Sequence, residues 1–334
     1  MSRVDYFALG GTIASLSDGG DGAVPTMTAG QLAQAIPGLD AVATVHPHQF
    51  LLAPSSEITV TDLVNLVTAM REAVEEGAGG LVVSQGTDSL EETAFALDLL
   101  WERAEPVVVT GAMRNPSLAG ADGPANLLSA IRVAASCEAS GAGVLVCLND
   151  EIHAARWVRK THTSSPSTFQ SPGLGPLGWV SEGRPVLVFR PIRNEHVTIR
   201  SGATIPSVAL VKVGLADDGR LLGAVLDLGF DAVVIEGFGG GHVPAAMLPA
   251  IDRLVARIPV VLASRTGAGE VLSSTYRFPG GEMDLLGRGV LRAGALDGPK
   301  SRMLVILALA AGCTNAALKD LLRSVGTPSG DIGG

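Results

Sequence analysis

A chain of 334 residues with a net charge of −9 and no run of lysines or arginines lacks the clustered cations that phosphate binding needs, so nucleic acid is excluded as a partner. A hydrophobic content of 47% and a mean hydropathy of +0.36 suggest a membrane protein at first sight, but the longest apolar run, residues 303–313, is too short to span a bilayer and reads as a buried helix. The three cysteines, Cys137, Cys147 and Cys313, are odd in number and lack metal-ligand spacing, and the N-terminus enters a strand with no secretory segment, so the expectation is a cytoplasmic two-domain protein with no metal and no cofactor, acting on a small molecule.

Residues 4–9 form a strand-like run that breaks at Gly10 and Gly11 before Thr12. Two glycines let the backbone turn sharply and approach a ligand, while the GxGxxG pattern of a dinucleotide site is missing. Residues 15–26, SLSDGGDGAVPT, read as a mobile loop with Gly19, Gly20 and Gly22, either a lid over substrate or an ordinary surface connection. A short helix over residues 28–35 ends at Pro37. The next strand-like run closes at residues 51–53 and delivers Ser55 and Ser56 to a loop before a helix at 61–76, as ligand-facing residues or as helix-entry residues.

Residues 81–83 read as a buried parallel strand and residues 89–100 as a helix, with Asp88 or Ser89 as N-cap. Thr87 and Asp88 therefore sit at the carboxyl end of a strand, where open α/β sheets bind ligands, or else they only cap the helix. The alternation continues with a strand at 106–110, a helix at 123–135 and a strand at 143–148, which means βαβ units and a parallel sheet. Thr110, Gly111 and Asp122 again fall on the carboxyl edge. From Glu151 the texture turns polar and irregular. Lys160 lies there, a base if desolvated or a solvated surface lysine.

Residues 186–189 look like an edge strand and 191–206 like a linker. A second alternation follows, with strands at 208–213, 232–236 and 259–264 and helices at 219–228 and 244–258. Gly237 to His242, GFGGGH, lacks the Lys-Ser/Thr of a phosphate loop and reads as a tight strand-to-helix turn. Residues 273–282 are a second irregular loop, and two helices close the chain from Pro299. The domains expected are 1–190 and 207–334.

Gly10-Gly11-Thr12-Ile13-Ala14-Ser15 and Gln85-Gly86-Thr87-Asp88-Ser89-Leu90-Glu91-Glu92-Thr93 resemble the two signatures of the bacterial-type L-asparaginase and glutaminase-asparaginase family, with TGAMR and ADGPAN between them and Lys160. The resemblance covers nearly the whole chain. It implies an α/β fold with a larger N-terminal flavodoxin-like or Rossmann-like parallel sheet and a smaller C-terminal α/β domain, assembled as a homotetramer that is a dimer of dimers. It implies hydrolysis of L-asparagine to L-aspartate and ammonia through an acyl-enzyme on Thr12. By position it makes Thr87 the second threonine, Lys160 the lysine that polarises it, Asp88 the acid for the substrate ammonium and Ser55 the binder of its α-carboxylate. Glu282 matches an acid contributed by a neighbouring subunit.

The chain departs from that family at several positions. Residues 15–30 hold no tyrosine where the family's lid carries one, Ser56 replaces a glutamine of the secreted enzymes, and His242 replaces an asparagine. The only tyrosines are Tyr6 and Tyr276, and the expectation is that Tyr276 with Glu282 substitutes for the lid residue, against a reading in which Tyr276 only packs its own loop. A broader glutaminase-asparaginase, an ammonia-supplying amidotransferase subunit and a non-enzymatic amino-acid sensor are the alternative functions.

Overall fold

The computed structural model describes residues 1–17, 23–193, 195–200 and 202–327, and its contacts divide the chain into two units, Met1–Arg193 and Asn194–Gly334. In the first unit, β1 (Arg3–Ala8) leads through a single 3-10 turn, Thr12–Ala14, into an antiparallel pair, β2 (Ser15–Ser17) and β3 (Ala23–Pro25). Then follow α1 (Ala29–Gln34), β4 (Thr44–Gln49), α2 (Val60–Glu75), β5 (Gly80–Ser84), α3 (Leu90–Leu100), β6 (Val107–Thr110), α4 (Gly123–Ala135) and β7 (Val144–Leu148). The unit closes with β8 (Glu151–Ala154), a hairpin of β9 (Arg159–Lys160) and β10 (Phe169–Gln170), β11 (Gly178–Ser181) and β12 (Arg184–Leu187).

Eight strands form one sheet in the order β12-β11-β8-β7-β6-β5-β1-β4. β4, β1, β5, β6 and β7 are parallel, while β8, β11 and β12 extend the sheet antiparallel. The central strands are apolar at nearly every position because helices cover both faces, and β5, β6 and β7 are buried throughout. Burying each Val or Leu side chain contributes about 1.5–3 kcal/mol. α2 starts on a capping box, Thr59 with Asp62, and presents Leu63, Leu66, Val67, Met70 and Ala73 on the 3.6-residue stripe that faces inward.

Both outer strands carry a proline. The Thr44 amide donates inward to Ser2, so alternation turns the nitrogen of Pro47 to the free rim of β4. The Val188 amide donates inward to Leu177, which turns Pro185 outward on β12 in the same way.

The second unit is a four-stranded parallel sheet ordered β13 (Val208–Lys212), β14 (Ala232–Gly237), β15 (Val260–Ser264) and β16 (Leu291–Arg292). Its helices are α5 (Arg220–Ala224), α6 (Leu248–Val255), α7 (Glu282–Gly287), α8 (Gly298–Ala310) and α9 (Asn315–Gly326). α8 contains the apolar run noted above and is buried along most of its length.

The architecture is the two-unit α/β arrangement expected, with corrections of detail. The strand ahead of Ser55 ends at Gln49 rather than at residues 51–53, because an exposed edge strand of composition TVHPHQ offers no apolar run to mark it. The stretch after Glu151 is not irregular but holds four short strands. α5 and α6 are shorter than their apolar patterns, and α7 and β16 were not anticipated. The expected mobile loop has flanks paired as β2 and β3, while its Gly19, Gly20 and Gly22 lie outside the described residues. No helix among the described residues is long and apolar enough to cross a membrane.

Candidate active site

Because β4, β1, β5 and β6 run parallel, the residues that follow them emerge on one edge of the sheet. Glycines then bring those loops into direct backbone contact. A Cβ on Gly10 (φ 102°) would lie 2.7 Å from the Ala53 backbone, and one on Gly11 (φ 83°) would lie 2.0 Å from the Gly86 nitrogen. A Cβ on Gly86 would meet Ser55 Oγ at 2.8 Å. The three turns that carry Thr12, Ser55 and Thr87 are therefore one cluster. Beneath it, Tyr6 OH and Ser84 Oγ are 2.7 Å apart, the Leu9 amide donates to Ser84 at 2.8 Å, and Ser15 Oγ donates to the Gly11 carbonyl at 2.8 Å. Tyr6 is fully buried in this support, with its phenol pushed up by burial against the pull of Ser84.

Lys160 reaches the same edge from β9. Its Nζ donates to Thr87 Oγ1 at 2.9 Å and to Asp88 Oδ1 at 2.6 Å, and its backbone amide donates to the Glu91 carboxylate. The lysine side chain is only 16% exposed, whereas that of Asp88 is 79% exposed, so the ammonium is enclosed and the carboxylate faces outward. Lys160 is thus not a solvated surface lysine, and Asp88 does not cap α3. The N-cap is Ser89, which makes no side-chain cap bond and instead donates to the Ser55 carbonyl at 2.7 Å.

Ser55 itself is buried, and its hydroxyl has no hydrogen-bond partner among the described residues. A buried hydroxyl without a partner carries a desolvation penalty of about 1–3 kcal/mol, which a ligand oxygen would relieve. Ser56 beside it is exposed. Thr110 and Asp122 are on the predicted edge but are engaged elsewhere: Thr110 donates to Cys147 O at 2.7 Å, while Asp122 accepts from the Met113 and Arg114 amides at 3.0 and 2.8 Å. They shape the loop after β6.

In the second unit, Glu282 is fully buried at the start of α7. One of its oxygens accepts from the Thr275 and Tyr276 amides, both at 2.7 Å, and the other lies 3.2 Å from His242 Nε2. Burial pushes this carboxyl up, but the Tyr276 and Thr275 amides outweigh it and hold it below the usual range. His242 meets the rings of Tyr276 and Phe278 edge-on at 5.0 and 5.2 Å, and Tyr276 is 44% exposed. Sequence reasoning paired Tyr276 with Glu282 and named His242 apart from them, and the fold brings all three together. It missed the parts played by Ser89 and Glu91, whose signal was their place inside the second signature.

This edge combines an enclosed cation, two hydroxyls and a carboxylate on abutting turns, which is the equipment of a hydrolase acting on a small zwitterion. Residues 3–193 match the family "Asparaginase, N-terminal" and residues 207–322 the family "Glutaminase/Asparaginase C-terminal domain". The L-asparaginase of Bacillus licheniformis is 35% identical over 315 residues, 92% of this chain and 95% of that one, and a probable L-asparaginase of Deinococcus radiodurans is 35% identical over 96% of both chains. The crystal structure of a probable cytoplasmic L-asparaginase from Campylobacter jejuni superposes with a TM-score of 0.87 at 28% identity, covering 97% of this chain and 99% of the other. The chain belongs to the asparaginase family, and it is a hydrolase of that family.

Proposed function

We propose that this enzyme hydrolyses L-asparagine to L-aspartate and ammonia through an ester on Thr12. The observation that carries the reading is the position of Lys160 Nζ, 2.9 Å from Thr87 Oγ1 and 2.6 Å from Asp88, on the edge where the Thr12 turn abuts the Thr87 turn. With Lys160 donating to its oxygen, Thr87 keeps its own proton to offer. Thr12 Oγ1 attacks the amide carbon, its proton passes to the amide nitrogen, the C–N bond breaks and ammonia leaves. Water then cleaves the ester. Backbone N–H groups near Gly11 and Thr87 stabilise the oxyanion, each donor contributing on the order of 3 kcal/mol. Asp88 pairs with the substrate ammonium, and the unpartnered Ser55 hydroxyl takes the α-carboxylate.

Steady-state ammonia release from L-asparagine, L-glutamine and both D-isomers tests this. The highest kcat/KM is expected with L-asparagine. Equal rates with glutamine would make the enzyme a glutaminase-asparaginase, co-purification with an amidotransferase partner would make it an ammonia supplier, and absence of turnover would make it a sensor.

In the same assay Asp88→Asn should raise KM for asparagine about 10- to 100-fold, the scale of one charge-assisted hydrogen bond. Ser56→Ala should leave KM within about twofold, because an exposed surface hydroxyl contributes little. An Asp88→Asn enzyme that hydrolyses a substrate lacking the α-amino group no better and no worse than wild type, yet keeps its KM for asparagine, would remove Asp88 from the ammonium site.

A homotetramer, a dimer of dimers, is the assembly we propose. Each unit bears exposed apolar side chains that association would cover, Phe189 and Ile192 at 64% and 60% in the first, Leu215 and Leu221 at 95% and 70% in the second. In that assembly Glu282 and Tyr276 serve a neighbouring subunit's Thr12. Tyr276→Phe should then lower kcat at least about tenfold in an oligomer of unchanged mass, consistent with the loss of a proton-handling group. An unchanged kcat would confine Tyr276 to its own loop. We place the enzyme in the cytoplasm, which its free cysteines and the designation of the Campylobacter jejuni protein support.

A further inference from the structure

The hairpin that carries Lys160 is too small to hold its own position. β9 and β10 pair through two residue pairs, Lys160 with Phe169 and Arg159 with Gln170, and they form a sheet separate from the eight-stranded one. An isolated two-stranded ribbon of this length is marginal in water. Bonds at its tip, Thr161 N to Thr168 O at 2.8 Å and Thr168 Oγ1 to His162 O at 2.6 Å, fix the shape of the hairpin but not its place.

Besides the Lys160 amide bond to the Glu91 carboxylate of α3, which ties β9, its place is set on the β10 side from β8. His153, fully buried on that strand, lies 3.0 Å through Nδ1 from Ser171 Oγ, one residue beyond β10, and 3.2 Å through Nε2 from Glu151 Oε2. Gln170 of β10 donates to the same Glu151 oxygen at 3.2 Å. A carboxylate accepts, so Nε2 carries the proton of a neutral ring and Nδ1 is the acceptor for the Ser171 hydroxyl. Burial lowers the pKa of His153 against the pull of Glu151, which agrees with the neutral ring. Serine, histidine and carboxylate are also the parts of a hydrolytic triad. With Ser171 5% exposed and His153 fully buried, the would-be nucleophile and base are closed to a substrate.

We propose that His153, Ser171 and Glu151 are positioning residues that hold the β9–β10 hairpin against β8 and so keep Lys160 Nζ on Thr87. The inference rests on the reading of Lys160 as part of the reacting site. β8 is a suitable anchor because it is bonded on both sides, to β7 and to β11. A displacement near 1 Å at a reacting group lowers rate about 100-fold, so a modest loosening of the hairpin acts on kcat.

The experiment is a kinetic cycle of Ser171→Ala, Lys160→Met and the double variant, with hydrogen exchange followed over residues 159–171. Ser171→Ala is expected to lower kcat about 10- to 100-fold with KM for asparagine unchanged and exchange in the hairpin accelerated. Ser171→Thr, which keeps the hydroxyl, should restore kcat. In the Lys160→Met background, Ser171→Ala should have no further effect. Wild-type kcat in Ser171→Ala beside an impaired Lys160→Met, or a loss that multiplies in full in the double variant, would overturn the positioning role alone. Wild-type kcat in Lys160→Met would overturn the reading of the site and this inference with it. Should Ser171→Ala lose the fold by circular dichroism, Gln170→Ala at the half-buried end of the network replaces it under the same criteria.

Discussion

Thr12→Ala is expected to lower kcat with asparagine by about four to six orders of magnitude, the scale seen when an enzyme loses its nucleophile, while the melting temperature stays near that of wild type. Thr12 opens a 3-10 turn in which Ile13 and Ala14 provide the buried contacts, so removing its hydroxyl should take little packing with it. Thr87→Val should produce a comparable loss by another route. The methyl that replaces Oγ1 cannot accept from Lys160, and the ammonium retains Asp88 but loses the hydroxyl at 2.9 Å. On the proposed mechanism both side chains act on one event, so the double variant should be little slower than the worse single one. Pre-steady-state and steady-state ammonia release on the three variants checks this. Losses that multiply would assign the two threonines to separate functions.

Gly11→Ala should abolish activity and destabilise the fold, although it adds a single methyl. Gly11 combines φ 83° with ψ −170°, a region essentially confined to glycine, so an L side chain there is strained by about 1–3 kcal/mol before any contact is counted. The added Cβ would then stand 2.0 Å from the Gly86 nitrogen and 2.3 Å from its Cα. Backbone atoms cannot rotate away as a side chain can, so the two turns must separate and carry Thr12 from Thr87. Gly30→Ala in α1 is the control, because its Cβ would meet nothing within 4 Å and alanine favours a helix by about 1 kcal/mol over glycine. Calorimetry with activity on both variants gives the answer. An active, stable Gly11→Ala would mean that the turns are not pressed together as described.

The glycine-hydroxyl turns were legible because the pattern has a direct physical cause. An apolar strand buried on both faces ends where polarity begins, and the glycines there mark backbones in close contact. Gly10, Gly11 and Gly86 do what that pattern says. Lys160 was singled out by its place near the sheet edge, but only the resemblance favoured it over a solvated surface lysine, since the short strands β8 to β11, joined in part by polar pairs such as His153 with Ser171, leave no regular apolar period to read. β4 escaped for a related reason: an exposed outer strand needs no hydrophobic alternation. The local sequence left Ser55 between a ligand-facing and a helix-entry residue, because its burial under the Gly86 turn is a fact of tertiary packing that no local pattern encodes. The joining of His242 to Glu282 across 40 positions is long-range in the same sense.

The outward-turned prolines bear on how copies of this chain meet. A β-sheet with open rims is a template for its own growth, since each unpaired N–H and C=O invites another strand. Pro47 and Pro185 interrupt that invitation at both ends, one by deleting a donor in the middle of β4 and the other near the start of β12. Neither rim offers the unbroken ladder that a strand-to-strand dimer or a fibril seed requires. Any association along this sheet is therefore steered to side chains rather than to shared backbone ladders, and the finished eight-stranded sheet is shielded from polymerising along its margins.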